Sequence, residues 1–190
     1  MRRPFPLCLL LLLLTLGGCQ GEQQFSTRYP CSFVFYASNH PNSALTLCVG
    51  NAGQMCIVEP RPVGGVIHLL MTPNVGTWTA DQTDVAMLTA IENDRLSYER
   101  MGANQRLIIG MSHFSGLKAF DGQCPNCLEN TSTPHHPLAW ADKGQMLTCQ
   151  RCSVTYNPNA EGIPINGTEG TPRLIEYRVE YNGERLYVHN

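Results

Sequence analysis

The sequence predicts a mostly β protein: an antiparallel β domain preceded by a small N-terminal α+β extension. Three observations carry this. Val66 to Met71 is an unbroken β-branched and leucine run of strand length. Arg106 to Met111 and Gly116 to Phe120 are two apolar stretches joined by a short loop. Leu174 to Tyr181 alternates apolar with polar residues, Asn182-Gly183 follows, and Leu186 to His189 returns. An Asn-Gly pair between two such runs predicts a type I′ hairpin.

The remaining elements follow in chain order. Arg2 and Arg3 precede an apolar run, Leu7 to Leu16, which is too short to span a bilayer and fits the apolar region of a signal peptide. Residues 1–18 are therefore expected to be a targeting segment. Ser32 to Ala37 and Met55 to Val58 read as short strands. Thr83 to Leu96 is the one helix candidate: Val85, Leu88, Ala90, Ile91 and Leu96 recur at roughly helical spacing, with Asp81 or Thr83 as cap. Met146 to Thr148 is a strand leading to a cysteine pair, and Gly162 to Pro172 is a Gly/Pro/Asn/Thr-rich loop. The expected organisation is a lipidated tether over 19–30, an extension or subdomain over 31–100, and a metal-binding domain over 101–190.

Charge narrows the function classes. The chain of 190 residues carries 13 Lys and Arg against 15 Asp and Glu, with no basic cluster. Nucleic-acid binding is not expected, because phosphate contacts need concentrated positive charge. No apolar run after the first is long enough to span, so a soluble body is expected. Hydrolase signatures such as G-x-S-x-G and H-E-x-x-H are absent, as is a phosphate loop. A non-catalytic metal-binding or electron-transfer role is favoured over an enzyme.

Nine cysteines carry most of the information. Cys19 ends the run Leu16-Gly17-Gly18-Cys19, and Cys31, Cys48 and Cys56 are scattered. Cys124-Pro-Asn-Cys127 and Cys149-Gln-Arg-Cys152 are two C-x-x-C pairs, 21 residues apart. Two intervening residues let one tight turn aim both sulfurs at a point, and two such turns facing each other close a four-sulfur site. Four thiolates suit a single zinc or iron ion, or a [2Fe–2S] cluster. Two disulfides are the third reading. A thioredoxin-type role for one pair needs a helix beginning at its first cysteine, and neither pair is followed by a helical pattern. With Cys19 set aside, an odd number of cysteines remains after the targeting segment, so at least one thiol stays unpaired or the set divides between metal and disulfide.

Two resemblances enter on these residues. Leu16-Gly17-Gly18-Cys19 resembles the lipobox of bacterial lipoproteins. That implies acylation of Cys19, a membrane anchor, and a place in the bacterial cell envelope, with the body in the periplasm or at the cell surface. Gly116 to Val188 is similar to a Rieske domain: a strand ending Ala119-Phe120-Asp121, a metal loop, a spacer, a second metal loop, then a tyrosine, a glycine-rich turn and a hairpin. In that family a tyrosine stands seven residues after the second loop's cysteine and bonds a ligand sulfur; Tyr156 has this spacing from Cys149. The family's loops are C-x-H and C-x-x-H, so both histidine ligands are replaced by cysteine here, and Val154 stands where many members carry serine. The resemblance implies the fold more than the cofactor: a Rieske-like fold whose ligand set has become four cysteines. A [2Fe–2S] centre with four thiolates would sit near the plant-ferredoxin potential, about −400 mV.

Other residues carry weaker expectations. His135 and His136, between Pro134 and Pro137, are alternative ligands or solvent-exposed loop residues. His68 and His113 have no evident partner. Asp121 is a turn residue beside the first cysteine loop, or a general base. Trp78 and Trp140 are packing residues, and the sequons at Asn130 and Asn166 are turn residues. The functional alternatives are electron transfer with a redox or envelope partner, structural zinc in a binding module, a thiol–disulfide oxidoreductase, and a metal-free module on a degenerate Rieske-like scaffold.

Overall fold

The computed structural model describes residues 25–131 and 133–190. The expected targeting segment, the lipobox with Cys19, and Ser132 of the first sequon lie outside these residues. No helix among the described residues is long and apolar enough to cross a membrane.

Among the described residues, twelve strands form two antiparallel sheets. The strands are β1 (Ser32–Phe35), β2 (Met55–Val63), β3 (Val66–Pro73), β4 (Asp84–Ala86), β5 (Leu107–Met111), β6 (Leu117–Asp121), β7 (Leu138–Ala141), β8 (Met146–Cys149), β9 (Thr155–Asn157), β10 (Ile163–Pro164), β11 (Glu176–Tyr181) and β12 (Leu186–His189). The large sheet has the order β1-β12-β11-β6-β5-β2-β3-β4, and the small sheet the order β10-β9-β8-β7. Short helices connect them: α1 (Ala44–Gly50), α2 (Ala80–Thr83), α3 (Arg95–Glu99) and α4 (Pro125–Thr131). The mostly β, antiparallel class is as the sequence predicts. The expected boundary near residue 100 runs through the large sheet, because β1 pairs with β12 and β2 with β5.

The central strands are buried on both faces, which explains their unbroken apolar runs. Along β2, Cys56 and Val58 enter one core, while Met55 and Ile57 enter a second. In β5, Leu107 and Ile109 face the first core and Ile108 the second; Ala119 and Phe120 divide likewise in β6. The first core lies inside the curl of the large sheet. It is filled by α1, whose Ala44, Leu45, Cys48 and Val49 share one face, and by Phe33, Phe35, Leu186 and Val188 from the β1–β12 edge. The segment between β4 and β5 covers the β1 edge: Cys31 bridges to Met101, and the Phe33 and Tyr98 rings lie 6.4 Å apart. The second core lies between the large and small sheets and includes three of the paired cysteines. Gly110 sits where β5 crosses closest to β2; a side chain there would collide with the Gln54 carbonyl.

The helix expected over Thr83 to Leu96 does not form. Residues 84–86 instead pair with β3 as an edge strand, with Leu69 opposite Val85. Val85 and Met87 go inward, whereas Leu88, Ile91 and Leu96 are 78%, 72% and 68% exposed. The strand's alternation prevails because sheet pairing buries Val85 and Met87. Asn93 fixes the following turn by accepting from the Ile67 N–H at 2.7 Å. Two short helices flank the segment, capped by Thr79 and Asp94. Helix α1, by contrast, was not expected from the sequence, although Ser43 caps it with a side chain accepting from the Thr46 N–H.

The C-terminal hairpin forms with a different turn. Tyr181 pairs with Leu186, so the loop has four residues, Asn182 to Arg185. Only Gly183 in it takes a positive φ, +91°. Asn182 keeps an ordinary φ because its Oδ1 accepts from the Glu184 and Arg185 N–H groups at 3.0 and 2.7 Å, an arrangement of the Asx type.

The loss of the helix can be tested by paired substitutions. Leu69→Ala, which empties a fully buried site, should cost about 3 kcal/mol in denaturant unfolding. Leu88→Ser should change stability by less than about 0.5 kcal/mol; a cost near that of Leu69→Ala would restore the helix.

Candidate metal centre

Both cysteine turns rise from the edges of the second core. The first leaves β6 at Asp121, crosses Gly122 and Gln123, and reaches Cys124. The segment is held like a strand against residues 136–138. The Cys124 N–H donates to the His136 carbonyl at 2.9 Å, the Leu138 N–H to the Gly122 carbonyl at 2.9 Å, and the His136 N–H to Gln123 Oε1 at 3.0 Å. Helix α4 then starts directly after Cys124, with Pro125 first. Proline suits that position because its missing N–H would be unpaired there in any case. This corrects the expectation that no helix follows either pair. One turn of α4 turns Cys127 back beside Cys124.

The second turn closes at the end of β8. The Cys149 N–H donates to the Val154 carbonyl at 3.0 Å, and the Ser153 N–H to the Cys149 carbonyl at 2.9 Å. Ser153 takes the left-handed conformation, φ +59°. Pairing of Cys149 with Leu138 across β7 and β8 sets this turn beside the first. Asn166 braces it from outside. Its amide donates to the Ser153 carbonyl at 3.0 Å, and its Oδ1 accepts from the Thr155 N–H at 2.6 Å.

The four ligand sulfurs, one each from Cys124, Cys127, Cys149 and Cys152, lie within 4.8 Å of one another. Cys124 and Cys152 are 3.6 Å apart, Cys127 and Cys149 3.7 Å. With metal–sulfur bonds of about 2.3 Å, the edge of a sulfur tetrahedron is about 3.8 Å. The cluster therefore has the dimensions to hold one metal ion. The Tyr156 hydroxyl, fully buried, lies 3.6 Å from Cys124 Sγ.

The electrostatics are those of a site suited to a cation. Burial, together with the neighbouring Cys149 and Cys152, pushes the Cys124 thiol up to about 11 against the pull of the Cys127 N–H and the Tyr156 hydroxyl. Burial and the three other sulfurs push Cys127 higher still. Burial also opposes ionisation of Cys152. The Val154 N–H, the Asn126 side chain, and the Cys124 and Cys127 thiols outweigh it and bring Cys152 down to about 7. Thiolates packed this closely ionise together when a divalent cation offsets their charge.

Other expected residues fall into structural roles. Asp121 is fully buried and accepts from the Ala103 N–H and the Tyr177 hydroxyl, both at 2.7 Å, and from the Gln123 N–H at 2.8 Å. Burial raises its carboxyl above the ordinary value, with those three donors opposing. It anchors the loop backbone. His135 is exposed, and neither it nor His136 belongs to the sulfur cluster. His68 has a partner after all: its Nδ1 lies 2.7 Å from Asp84 Oδ1. Trp140 ties the two sheets by donating to the Thr72 carbonyl at 2.8 Å. Cys31, Cys48 and Cys56 are free thiols buried in the first core. Asn126 and Asn166 were not singled out as parts of the site. Asn126 is marked in the sequence only by its place inside the first cysteine turn, and Asn166 only by its sequon.

No family model, curated protein or solved structure matches the chain. The site's own chemistry thus carries the functional argument.

Tyr156→Phe removes the hydroxyl beside Cys124 and leaves the ring. Competition with a chromophoric chelator should then show metal affinity about 10- to 100-fold weaker than wild type. Unchanged affinity would make Tyr156 a packing residue alone.

Proposed function

We propose that this protein is an exported, lipid-anchored envelope protein whose four paired cysteines hold one mononuclear zinc ion as a structural clamp. The observation that carries the zinc reading is the sulfur spacing. Contacts of 3.6 and 3.7 Å within a group no wider than 4.8 Å suit a single tetrahedral ion. A [2Fe–2S] centre sets two irons side by side, which spreads its two thiolate pairs to about 5 Å or more apart. Zinc is redox-silent and favours closed four-sulfur sites. It would tie α4 and its loop to the β8–β9 turn, where the second core has only the small sheet as its outer wall.

The Rieske-like reading belongs to the same proposal. Its support is the position of Tyr156 beside Cys124 and a second cysteine turn carried by a small antiparallel sheet. On this reading the scaffold has exchanged a redox cluster for a clamp, and the protein is a binding module rather than an electron carrier. The anchor reading rests on Leu16-Gly17-Gly18-Cys19.

Metal analysis of protein purified without oxygen should find one zinc per chain and no visible absorption. Chelation should then lower the melting temperature by several degrees or more. A red-brown protein with two irons and acid-labile sulfide would overturn the zinc reading in favour of electron transfer. Free titration of all the cysteines without bound metal would favour the oxidoreductase.

Expression in a bacterial host should give protein that partitions into the detergent phase. Cys19→Ala should move it to the aqueous phase. Aqueous partitioning of the wild type would remove the anchor.

A further inference from the structure

The four cysteines are not equally protected. Cys124, Cys127 and Cys149 are buried, whereas Cys152 is half-buried and stands between the exposed residues Arg151 and Ser153. It is thus the least buried of the four cysteines. Its sulfur lies across the site from Cys124, at 3.6 Å, and Cys127 faces Cys149 in the same way at 3.7 Å. A disulfide has a sulfur–sulfur bond of about 2.05 Å, so Cys124 and Cys152 need to close by about 1.5 Å. The two sulfurs sit on separate turns, so closing that gap withdraws both of them from the ion.

We propose that the centre is a peroxide-responsive site, in which Cys152 is oxidised first, bonds to Cys124, and thereby releases the metal. This rests on the mononuclear-metal reading and adds to it an order of reaction and a pairing. The co-reactant is hydrogen peroxide or an alkyl hydroperoxide. The Cys152 thiolate attacks the peroxide oxygen, the O–O bond breaks, and water or an alcohol leaves once a proton is taken up. Cys152 becomes a sulfenic acid. The Cys124 thiolate then attacks the Cys152 sulfur, the S–O bond breaks, and the departing hydroxide takes a proton from solvent and leaves as water. In sum, two electrons pass from two sulfurs to one peroxide. Cys127 and Cys149 remain as two thiols, too few to hold the ion in a closed site. The new bond still joins α4's loop to the β8–β9 turn, so a covalent link replaces the clamp. A thiol reductant reverses the change.

The test uses the purified, zinc-loaded full protein, titrated with hydrogen peroxide. Zinc content before peroxide tests the mononuclear-metal reading separately. Release is followed with a chromophoric zinc indicator, and the cysteine links are mapped by mass spectrometry. Trypsin cuts after Arg151 and so separates Cys149 from Cys152, which makes the pairings distinguishable. The expected result is one zinc lost per disulfide, with the peptide bearing Cys124 and Cys127 joined to the one beginning at Cys152. Fragment ions should assign the bond to Cys124. Cys152→Ser should slow zinc release by about tenfold or more. If that variant does not bind zinc, the wild-type map alone decides. A first link inside one turn, Cys124 to Cys127 or Cys149 to Cys152, would overturn the proposal. So would a first link at Cys127, or retention of zinc at a peroxide dose that oxidises exposed methionines.

Discussion

Burial of β2, β5 and β6 on both faces is the constraint on which the other features depend. A sheet covered on one side needs one core; these strands carry apolar side chains to both sides and need two. The inner face is covered by curling the sheet around α1. The outer face is covered by the small sheet, which is short and brings few apolar residues of its own. Among its contributions are Leu138, Leu147, Cys149 and Tyr156. The cysteine sulfurs are thus part of the wall as well as the ligand set. A thiol behaves as a small apolar group when protonated, and a metal-bound thiolate keeps its place there without a bare charge.

Asp121 joins the halves of this arrangement. It ends β6, binds Tyr177 of β11 and Ala103 of the preceding loop, and holds the Gln123 N–H that starts the first cysteine turn. Burying a carboxylate is costly unless it is fully hydrogen-bonded, and here the three donors surround it. Because the partners come from three segments, the position of Cys124 is coupled to the geometry of the large sheet. The second turn has its own brace in Asn166. The site therefore rests on polar anchors at the base of each turn, with the apolar core between them.

Much of this was legible in the sequence where one signal acted alone. The strands β3, β5, β6, β11 and β12 follow their runs or alternation, and the C-x-x-C spacing located all four clustered sulfurs. The register of Tyr156 pointed to the ring that lies against Cys124. Residues 83–96 misled because Val85 suits a helix stripe and an edge strand equally, and only pairing with β3 distinguishes them. Helix α4 was hidden because its seven residues include a proline, an asparagine and a cysteine whose roles are set by capping and by the metal turn rather than by propensity. The Asn182 turn shows the same limit: Asn-Gly announces a hairpin, but the loop length depends on where the strand register falls. Asp121, Asn126 and Asn166 could not be ranked from sequence, since their partners lie on other segments.

The pairing of β1 with β12 has a consequence for how the chain reaches this state. Ser32 faces His189, so the large sheet is completed by residues almost the whole described length apart. Local hairpins such as β2–β3 and β5–β6 close short loops, whereas this pair closes the longest loop, and contacts of such separation slow the search for the native topology. Phe33 and Phe35 enter the first core only through that late closure. Until it occurs, α1 and the inner face of β2 lack part of their cover, and the incomplete sheet exposes apolar surface to its neighbours. The most aggregation-prone stage of folding is then set by topology, ahead of any packing around the four cysteines.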